Sequence, residues 1–469
     1  MEFDVAIVGG GPAGLFAAYE LALRSDGKLR VALFEQGYMP SQRRCRRLVT
    51  GVCTGCPICH VLHGIGGAGA FSSGIINLRP DIGGDLDKLV GSWEEAQKLI
   101  EYVDSVFVKF GAPNIVYRIP EDKASELERL AARAGAKFIP TPQRVMGSEN
   151  TPRVIEAMAR WLEEHGVKIF IATKVLEVRK ENSRIVLKTT QGFYSSRYVV
   201  LAPGRSGADW FYTQALKLGI DVEPGPLDIG VRVEVPAYIT EPITNIVRDP
   251  KIIMYTKVYD DKVRTFCCNP HGFVVEERYS DGTVGVNGES YVGKKSRNTN
   301  FAILVTVRLT DPFEDTITYG KSIARLATRL GGGRPIVQRF GDLEAGRRST
   351  WSRIERSTVE PTLKDVTPGD IGMAYPYRVV ANIVEAIRRL DVMMPGIASH
   401  YTLLYVPEIK YYSVKARVNR FMETNVENVF VAGDGAGLSR GINVAAATGV
   451  LAARGILLKE GLLDFTQPM

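Results

Sequence analysis

Asp4-Val5-Ala6-Ile7-Val8-Gly9-Gly10-Gly11-Pro12-Ala13-Gly14-Leu15-Phe16-Ala17-Ala18 is the stretch that decides the fold. An apolar strand runs into a glycine turn, and the turn opens a helix that carries apolar residues to about Leu23. Each glycine has its own reason. Gly9 permits the tight turn, Gly11 lets the backbone come close to a pyrophosphate, and Gly14 lets the helix lie close to the strand. The helix N-terminus adds unpaired N–H groups and the positive end of a dipole. The next apolar strand, Arg30 to Phe34, ends at Glu35, 21 residues past Gly14. A carboxylate there can accept hydrogen bonds from both hydroxyls of a ribose. The combination predicts a Rossmann-like unit that binds a dinucleotide.

Those features suit NAD as well as FAD, and two later segments decide between them. Residues 151–204 read as a helix (Arg153 to His165), a strand (Lys168 to Thr173), a strand beginning at Val175, a hairpin, and Tyr198-Val199-Val200-Leu201-Ala202-Pro203-Gly204. That last apolar strand and its small-residue turn return the chain beside the first glycine loop. Near the end, Val429-Phe430-Val431-Ala432-Gly433-Asp434 precedes a small-residue helix from Gly441-Ile442-Asn443 to about Leu458. Flavoproteins that resemble glutathione reductase in their FAD domain close their sheet with such a segment. The resemblance implies that Asp434 binds the ribitol or pyrophosphate, while the helix points its positive end at the flavin. Gln36, beside Glu35, and Val175 join the expected cofactor contacts. Gly331-Gly332-Gly333 follows a helical stretch and precedes Arg-Pro, so it reads as a C-cap rather than a second nucleotide turn. Electrons are then expected from the substrate, from NAD(P)H docking transiently, or from a carrier such as ferredoxin.

With 469 residues and 45% hydrophobic content, the chain can bury a large core in more than one subdomain. No run of about 18 apolar residues appears, and the chain enters its first strand without a basic leader, so a cytoplasmic protein is expected. The net charge of +7 comes from basic residues interleaved with acids rather than from a tail. Nucleic acid is therefore not an expected partner, whereas a homo-oligomer is compatible with the sequence. Few His and abundant Arg and Glu suit a thermophile.

The expected fold class is α/β, α+β overall: a discontinuous FAD-binding domain (1–80, 146–224 and 410–469) with two insertions. The first, 81–145, reads as helical, with amphipathic helices over Asp87 to Phe110 and Pro120 to Ala134. The second, 225–409, alternates strands at Asp228–Pro236, Ile252–Tyr259, Val263–Cys268, Gly272–Tyr279, Thr283–Gly288 and Phe301–Leu309. It is expected to form an antiparallel sheet that roofs a substrate cavity.

The order Gly64-Ile65-Gly66-Gly67-Ala68-Gly69-Ala70-Phe71-Ser72-Ser73-Gly74, then Val263 to Gly272, Val286-Asn287-Gly288 and Ala432 to Gly437 resembles the family described as uncharacterised FAD-dependent dehydrogenases. The resemblance spans nearly the whole chain and implies the fold, FAD and flavin redox chemistry, with Gly66, Gly67 and Ala68 in a loop passing over the pyrophosphate. Where relatives tend to show Cys-Met-Cys-Pro-Gly-Gly, this chain has Cys267-Cys268-Asn269-Pro270-His271-Gly272. A cysteine pair is therefore not carried over.

Four of the six cysteines, Cys45, Cys53, Cys56 and Cys59, fall within one 15-residue stretch. Consecutive C-x2-C spacings with a fourth thiolate match a 4Fe-4S cluster. Zinc is a second reading, with His60 and His63 as further ligands. Disulfide or reactive-thiol chemistry is a third, because Arg43, Arg44, Arg46 and Arg47 would lower the thiol pKa values. Stapling of a long loop is the bland reading. His60 and His63 also offer imidazoles for a covalent flavin.

Flavin chemistry asks little of the protein beyond positioning and a proton donor, for which His271, Cys268 and His400 are the candidates. Arg347, Arg348 and Arg353 offer a clamp for a substrate carboxylate. Arg205 follows the Pro203-Gly204 turn. The leading expectation is an FAD-dependent dehydrogenase or reductase of a small organic substrate, with electron transfer through flavin N5. Two alternatives stand beside it: an electron-transfer flavoprotein coupling FAD to a cysteine-bound cluster or partner, and a tRNA-modifying flavoprotein.

Overall fold

The structure, a computed structural model, describes residues 1–46, 54–72, 74–225, 227–279, 281–291, 293–308, 315–411 and 414–464. The chain forms two compact units, one of 1–116, 142–225 and 412–469, the other of 117–141 and 226–411.

The first unit is built on five parallel strands in the order Val429–Val431, Tyr198–Leu201, Val5–Val8, Val31–Phe34 and Lys168–Phe170. Val-Ala-Ile-Val, Val-Ala-Leu-Phe and Tyr-Val-Val-Leu are buried at every position. Continuous apolar runs of this kind belong to a parallel sheet covered on both faces. Helix Pro12–Ser25 makes the crossover between the first two strands. Against it lies helix Ile442–Lys459, so close that a Cβ on Gly449 would stand 2.0 Å from the Ala13 carbonyl oxygen. By length and composition that second helix could cross a membrane, yet 83% of it is buried inside the protein. Its apolar content therefore serves the core. Phe16 and Tyr19 extend the same core to Phe107 and Trp161, with ring centroids 5.0 and 4.8 Å apart.

The helix expected over Asp87 to Phe110 is two helices, Leu86–Val90 and Trp93–Lys109. Gly91 takes φ +79°, and Ser92 caps the second helix by accepting the Glu95 N–H at 3.3 Å. A left-handed glycine followed by an N-cap serine stops one helix and starts the next.

The second unit carries an eight-stranded sheet in the order 367–368, Ile336–Arg339, Leu403–Tyr411, Leu227–Pro236, Asn298–Val307, Lys262–Asn269, Lys251–Tyr255 and Ala136–Ile139. It is antiparallel except for the first pair. The expected helical insertion 81–145 does not hold together as one piece. Strand Ala136–Ile139 pairs with Lys251–Tyr255, and helix Glu121–Arg133 buries Leu127 and Ala131 in this unit's core. The strand thus takes its helix into the second unit.

One face of the large sheet is apolar: Leu227, Ile229, Val231, Val233 and Val235 pack with Phe301, Ile303, Val305 and helix Tyr377–Leu390. The alternate positions carry Asp228, Arg232 and Glu234, all buried. The hairpin Phe273–Arg278 with Val284–Glu289 joins this polar side through Asn287, which accepts from Arg232 at 3.0 Å. Arg232 also forks onto Glu408, at 3.0 and 2.9 Å, and Glu408 takes Lys410 as a second cation at 2.8 Å. Beside them Glu234 accepts from Tyr405, Thr362 and Asn298. Burial pushes the Glu234 carboxyl pKa up, against the pull of those donors.

Candidate cofactor site

The three motif glycines meet different surroundings. Gly9 has φ +105°, and a Cβ there would lie 2.1 Å from the Ala202 carbonyl oxygen; on Gly14 it would lie 1.9 Å from the Gly9 carbonyl oxygen. Both are glycines because backbone occupies the place of a side chain. Gly11 is different: a Cβ there meets no atom within 4 Å, and its φ of −73° is ordinary for any residue. Space stands open where the helix begins. No side chain caps the N-terminus of helix Pro12–Ser25, so its first N–H groups face that space.

Other segments close around the same place. The loop at Gly66 and Gly67 lies against the turn: the Gly66 N–H donates to the Gly10 carbonyl at 2.7 Å, and a Cβ on Gly67 would be 3.3 Å from Gly11 Cα. Ala68 sits on the short 3-10 turn Gly67–Phe71. The Ala202 N–H donates to Val8, and the Pro203-Gly204 turn packs on Gly435, where a Cβ would be 2.4 Å from the Gly204 carbonyl oxygen. Gly433, φ +79°, brings its chain against Ala13. Ile442 begins the second helix, which also has no side-chain cap. A Cβ on Gly69 would touch Ile442 Cγ1 at 3.4 Å. Gly9, Gly11, Pro12, Ala13, Gly14, Gly66, Gly67, Ala202, Pro203, Gly204, Gly433 and Ile442, most of them distant in sequence, are thus gathered around one turn.

Glu35 is buried, and its carboxylate accepts three backbone N–H groups: Gly10 at 2.8 Å, Gly37 at 2.8 Å and Gly64 at 2.9 Å. A carboxylate offers about four acceptor positions, so one is left for a ribose hydroxyl rather than the expected two. Gln36 follows it, half-buried. Val175, buried, lies two residues past Thr173, whose N–H donates to the Glu35 carbonyl at 2.8 Å. Asp434 accepts from the Ser439 hydroxyl, and burial raises its carboxyl pKa despite the nearby Arg205 and Arg440. Asn443, at the start of the second helix, has its side-chain amide engaged. Its side-chain amide donates to the carbonyls of Asn77, Ile82 and Arg79 at 2.6, 3.1 and 3.3 Å, so the amide nitrogen holds that loop.

The residues at this turn fit FAD. A diphosphate needs open space against uncapped helix N–H groups, which Gly11 and Ala13 provide, and two such helix ends converge here.

Cys45, Cys56 and Cys59 are free thiols, Cys53 lies outside the described residues, and no three potential ligands gather among the described residues. His60 stacks on Tyr38 with centroids 5.6 Å apart, and its Nδ1 accepts the Arg44 N–H at 3.3 Å. Burial lowers the His63 pKa, and its Nδ1 meets no partner. Arg43 turns its guanidinium onto the carbonyls of His60, Val61, Ile65 and Gly67, with Cys59 near enough to interact with its charge.

Among the proton-transfer candidates, Cys268 is buried in the apolar core and burial drives its thiol pKa far up, which suits packing and not a thiolate. His271, at φ +54°, has Nδ1 3.1 Å from the Ser296 carbonyl and Nε2 3.4 Å from Glu241, so both ring nitrogens are engaged. His400 is exposed and packs over Gly341, where a Cβ would be 2.1 Å from its Nδ1. Arg347 is spent on Asp342 at 2.9 Å, and Arg353 on the Arg348 carbonyl at 2.8 Å. Sequence reasoning missed Arg43 as a loop organiser and the buried Arg232, Glu234 and Glu408. The alternation Asp228-Ile-Gly-Val-Arg232-Val-Glu234-Val was the one available signal, and polar alternation normally marks a wet face.

Residues 226–410 match the family model described as FAD-dependent protein, C-terminal domain-like, and residues 7–43 match the NAD(P)-binding Rossmann-like domain. A protein of Clostridium beijerinckii described as uncharacterized is 26% identical over 95% of this chain and 79% of its own length. The glycine oxidase of Geobacillus kaustophilus is 29% identical over 50% of this chain and 63% of its own length. The solved structure of a glycine oxidase from that organism aligns with 99% of this chain and 97% of its own, at 17% identity and a TM-score of 0.37. With its family matches lying on the dinucleotide turn and on 226–410 of the second unit, the chain is similar to FAD-dependent oxidoreductases, and FAD is the cofactor that these matches support.

Proposed function

We propose that this enzyme oxidises or reduces a small organic substrate, with amino and imino acids as the class to test first. FAD supplies two-electron redox chemistry at flavin N5. The observation that carries the reading is the uncapped helix end facing open space at Gly11. In this reading the N–H groups of Gly11 and Ala13 bind the diphosphate and Glu35 accepts from one ribose hydroxyl. Asp434 meets the ribityl chain, and the helix beginning at Ile442 directs its positive end at the ring. The first unit is the cofactor domain and the second, 226–411 with 117–141, recognises the substrate. His400, the exposed imidazole, is the remaining proton-transfer candidate of the three.

The amino-acid class is supported by the sequence likeness to glycine oxidase over half the chain. No finding favours the cluster-coupled electron carrier or the tRNA-modifying enzyme. The test is anaerobic bleaching of the bound flavin, near about 450 nm, by glycine, proline, other amino acids, NADH, NADPH and reduced ferredoxin. Rapid bleaching by one amino or imino acid supports the proposal. Bleaching by reduced nicotinamides or ferredoxin alone would sink the substrate class and leave the flavin assignment standing.

A further inference from the structure

Arg43 is a buried cation that makes no direct ion pair among the described residues, although the Glu35 carboxylate acts on its charge through space. Its Nε donates to the His60 carbonyl at 2.8 Å, Nη1 to Ile65 at 3.0 Å, and Nη2 to Val61 and Gly67 at 2.8 and 2.9 Å. The guanidinium lies 4.5 Å from the centroid of the Phe71 ring, which closes its other side. Four carbonyls of one loop are thereby turned inward onto a single planar fork, a task the geometry of guanidinium suits and that of ammonium does not. Burial lowers the Arg43 pKa to about 10, which leaves the side chain charged at neutral pH.

What that loop does next gives Arg43 its meaning. The Gly64 N–H donates to Glu35 Oε1 at 2.9 Å, the Ile65 N–H to Tyr38 at 3.0 Å, and the Gly66 N–H to Gly10 at 2.7 Å. The fit is tight: Gly64 takes φ +119°, and a Cβ on it would stand 2.7 Å from Arg43 Cδ. Carbonyls that point at Arg43 leave the alternate N–H groups of the loop pointing at Glu35 and the glycine turn. We propose that Arg43 is a positioning residue of the FAD site, folding the 60–67 loop so that Gly64, Gly66 and Gly67 close over the dinucleotide turn before FAD arrives. The inference rests on FAD occupying the space at Gly11.

If the loop is competent in only a fraction of molecules, the apparent FAD affinity falls by that fraction. R43K keeps the charge but cannot reach four carbonyls, and R43M removes both. The experiment titrates FAD into deflavinated wild-type, R43K and R43M protein below their melting temperatures, and follows hydrogen exchange of residues 60–67 with and without FAD. The expected result is roughly tenfold or greater loss of FAD affinity in both variants, with faster exchange at 60–67 and unchanged exchange in strand Val5–Val8. FAD should slow exchange at 60–67 in the wild type. A residue that only stabilises the fold would lower the melting temperature without moving the dissociation constant. Wild-type affinity in R43K and R43M would overturn the proposal, as would indifference of the wild-type loop to FAD. Should both variants fail to fold, the wild-type exchange result decides alone. Wild-type protein that binds no FAD would overturn the cofactor reading itself and this inference with it.

Discussion

Replacing Gly11 by alanine adds a single methyl group at the one motif glycine where the protein leaves space. Gly11 sits at φ −73° and ψ −174°, which any residue adopts, and the new Cβ would meet nothing within 4 Å. Alanine at an N-cap costs roughly 0.5–1 kcal/mol relative to glycine, while the stiffer unfolded chain returns about 0.4–1 kcal/mol. The apoprotein should therefore melt within a few degrees of wild type. Binding is another matter. A methyl in that space keeps a phosphate from the first N–H groups of the helix, forfeiting about two charge-assisted hydrogen bonds, or ~3–6 kcal/mol. That amounts to a loss of FAD affinity of roughly 10²- to 10⁴-fold. The assay is fluorescence titration of FAD into deflavinated protein, run beside thermal melts of the same samples. G9A and G14A serve as contrasts, since their methyl groups would run into backbone at 2.1 and 1.9 Å and should abolish folding instead. If G11A binds FAD as wild type does, the open space is not the diphosphate site. If G11A fails to fold, the geometry of the turn is wrong.

E35Q turns one carboxylate oxygen into an N–H₂ group that must face a backbone N–H, since Gly10 binds one oxygen while Gly37 and Gly64 share the other. It should cost about 2–4 kcal/mol in denaturant unfolding, and an unchanged midpoint would contradict the bonding described for Glu35. For Asp434 the sign runs the other way. Its folded pKa lies above the ordinary 3.8, so the native state prefers the protonated carboxyl, and stability is lost as pH rises from that value through the folded one. D434N should therefore raise the melting temperature of the apoprotein at pH 7, by a margin that vanishes in acid, while weakening FAD binding; a less stable D434N at neutral pH would refute the electrostatics. In the second unit E408Q leaves two buried cations, Arg232 and Lys410, without their anion, and should destabilise by about 3–5 kcal/mol. The double variant R232M/E408L should recover part of that loss, and equal destabilisation by both would show that charge is not the cause.

The dinucleotide turn was legible because steric law acts within a few residues of chain. Gly9 and Gly14 abut backbone laid down by the motif itself and the strand beside it, so a reader who knows the spacing knows the contacts. The return strand Tyr198–Leu201 and the closing Val429–Val431 were legible for a related reason. Short unbroken apolar runs have few places to go but the middle of a parallel sheet. Helix boundaries were less so: Gly91-Ser92 spelled a stop and a cap, but continuous amphipathic spacing concealed it.

Arg43 and Arg232 were illegible for a shared physical reason. Each is a charge whose meaning lies in partners far along the chain, the carbonyls of 60–67 for one and Glu408, 176 residues away, for the other. Alternation in Leu227–Pro236 reports only that the two faces of a strand differ; it says nothing of what comes to lie on the polar one. When a hairpin lies over that face, the same pattern changes from a solvated surface into a buried polar network whose every member needs a partner. The number of donors then becomes informative. Arg232 reaches Glu408, the Cys267 carbonyl, Asn287 and Asn300, tying three strands of the sheet to the hairpin. Arg232, engaged in this way, has little capacity left to seize a substrate carboxylate, whereas the Asn300 amide beside it keeps a buried donor without a partner. The role of Arg232 in the second unit is to fix the strands and the Cys267–Gly272 turn, and substrate recognition is to be sought in polar groups not already spent.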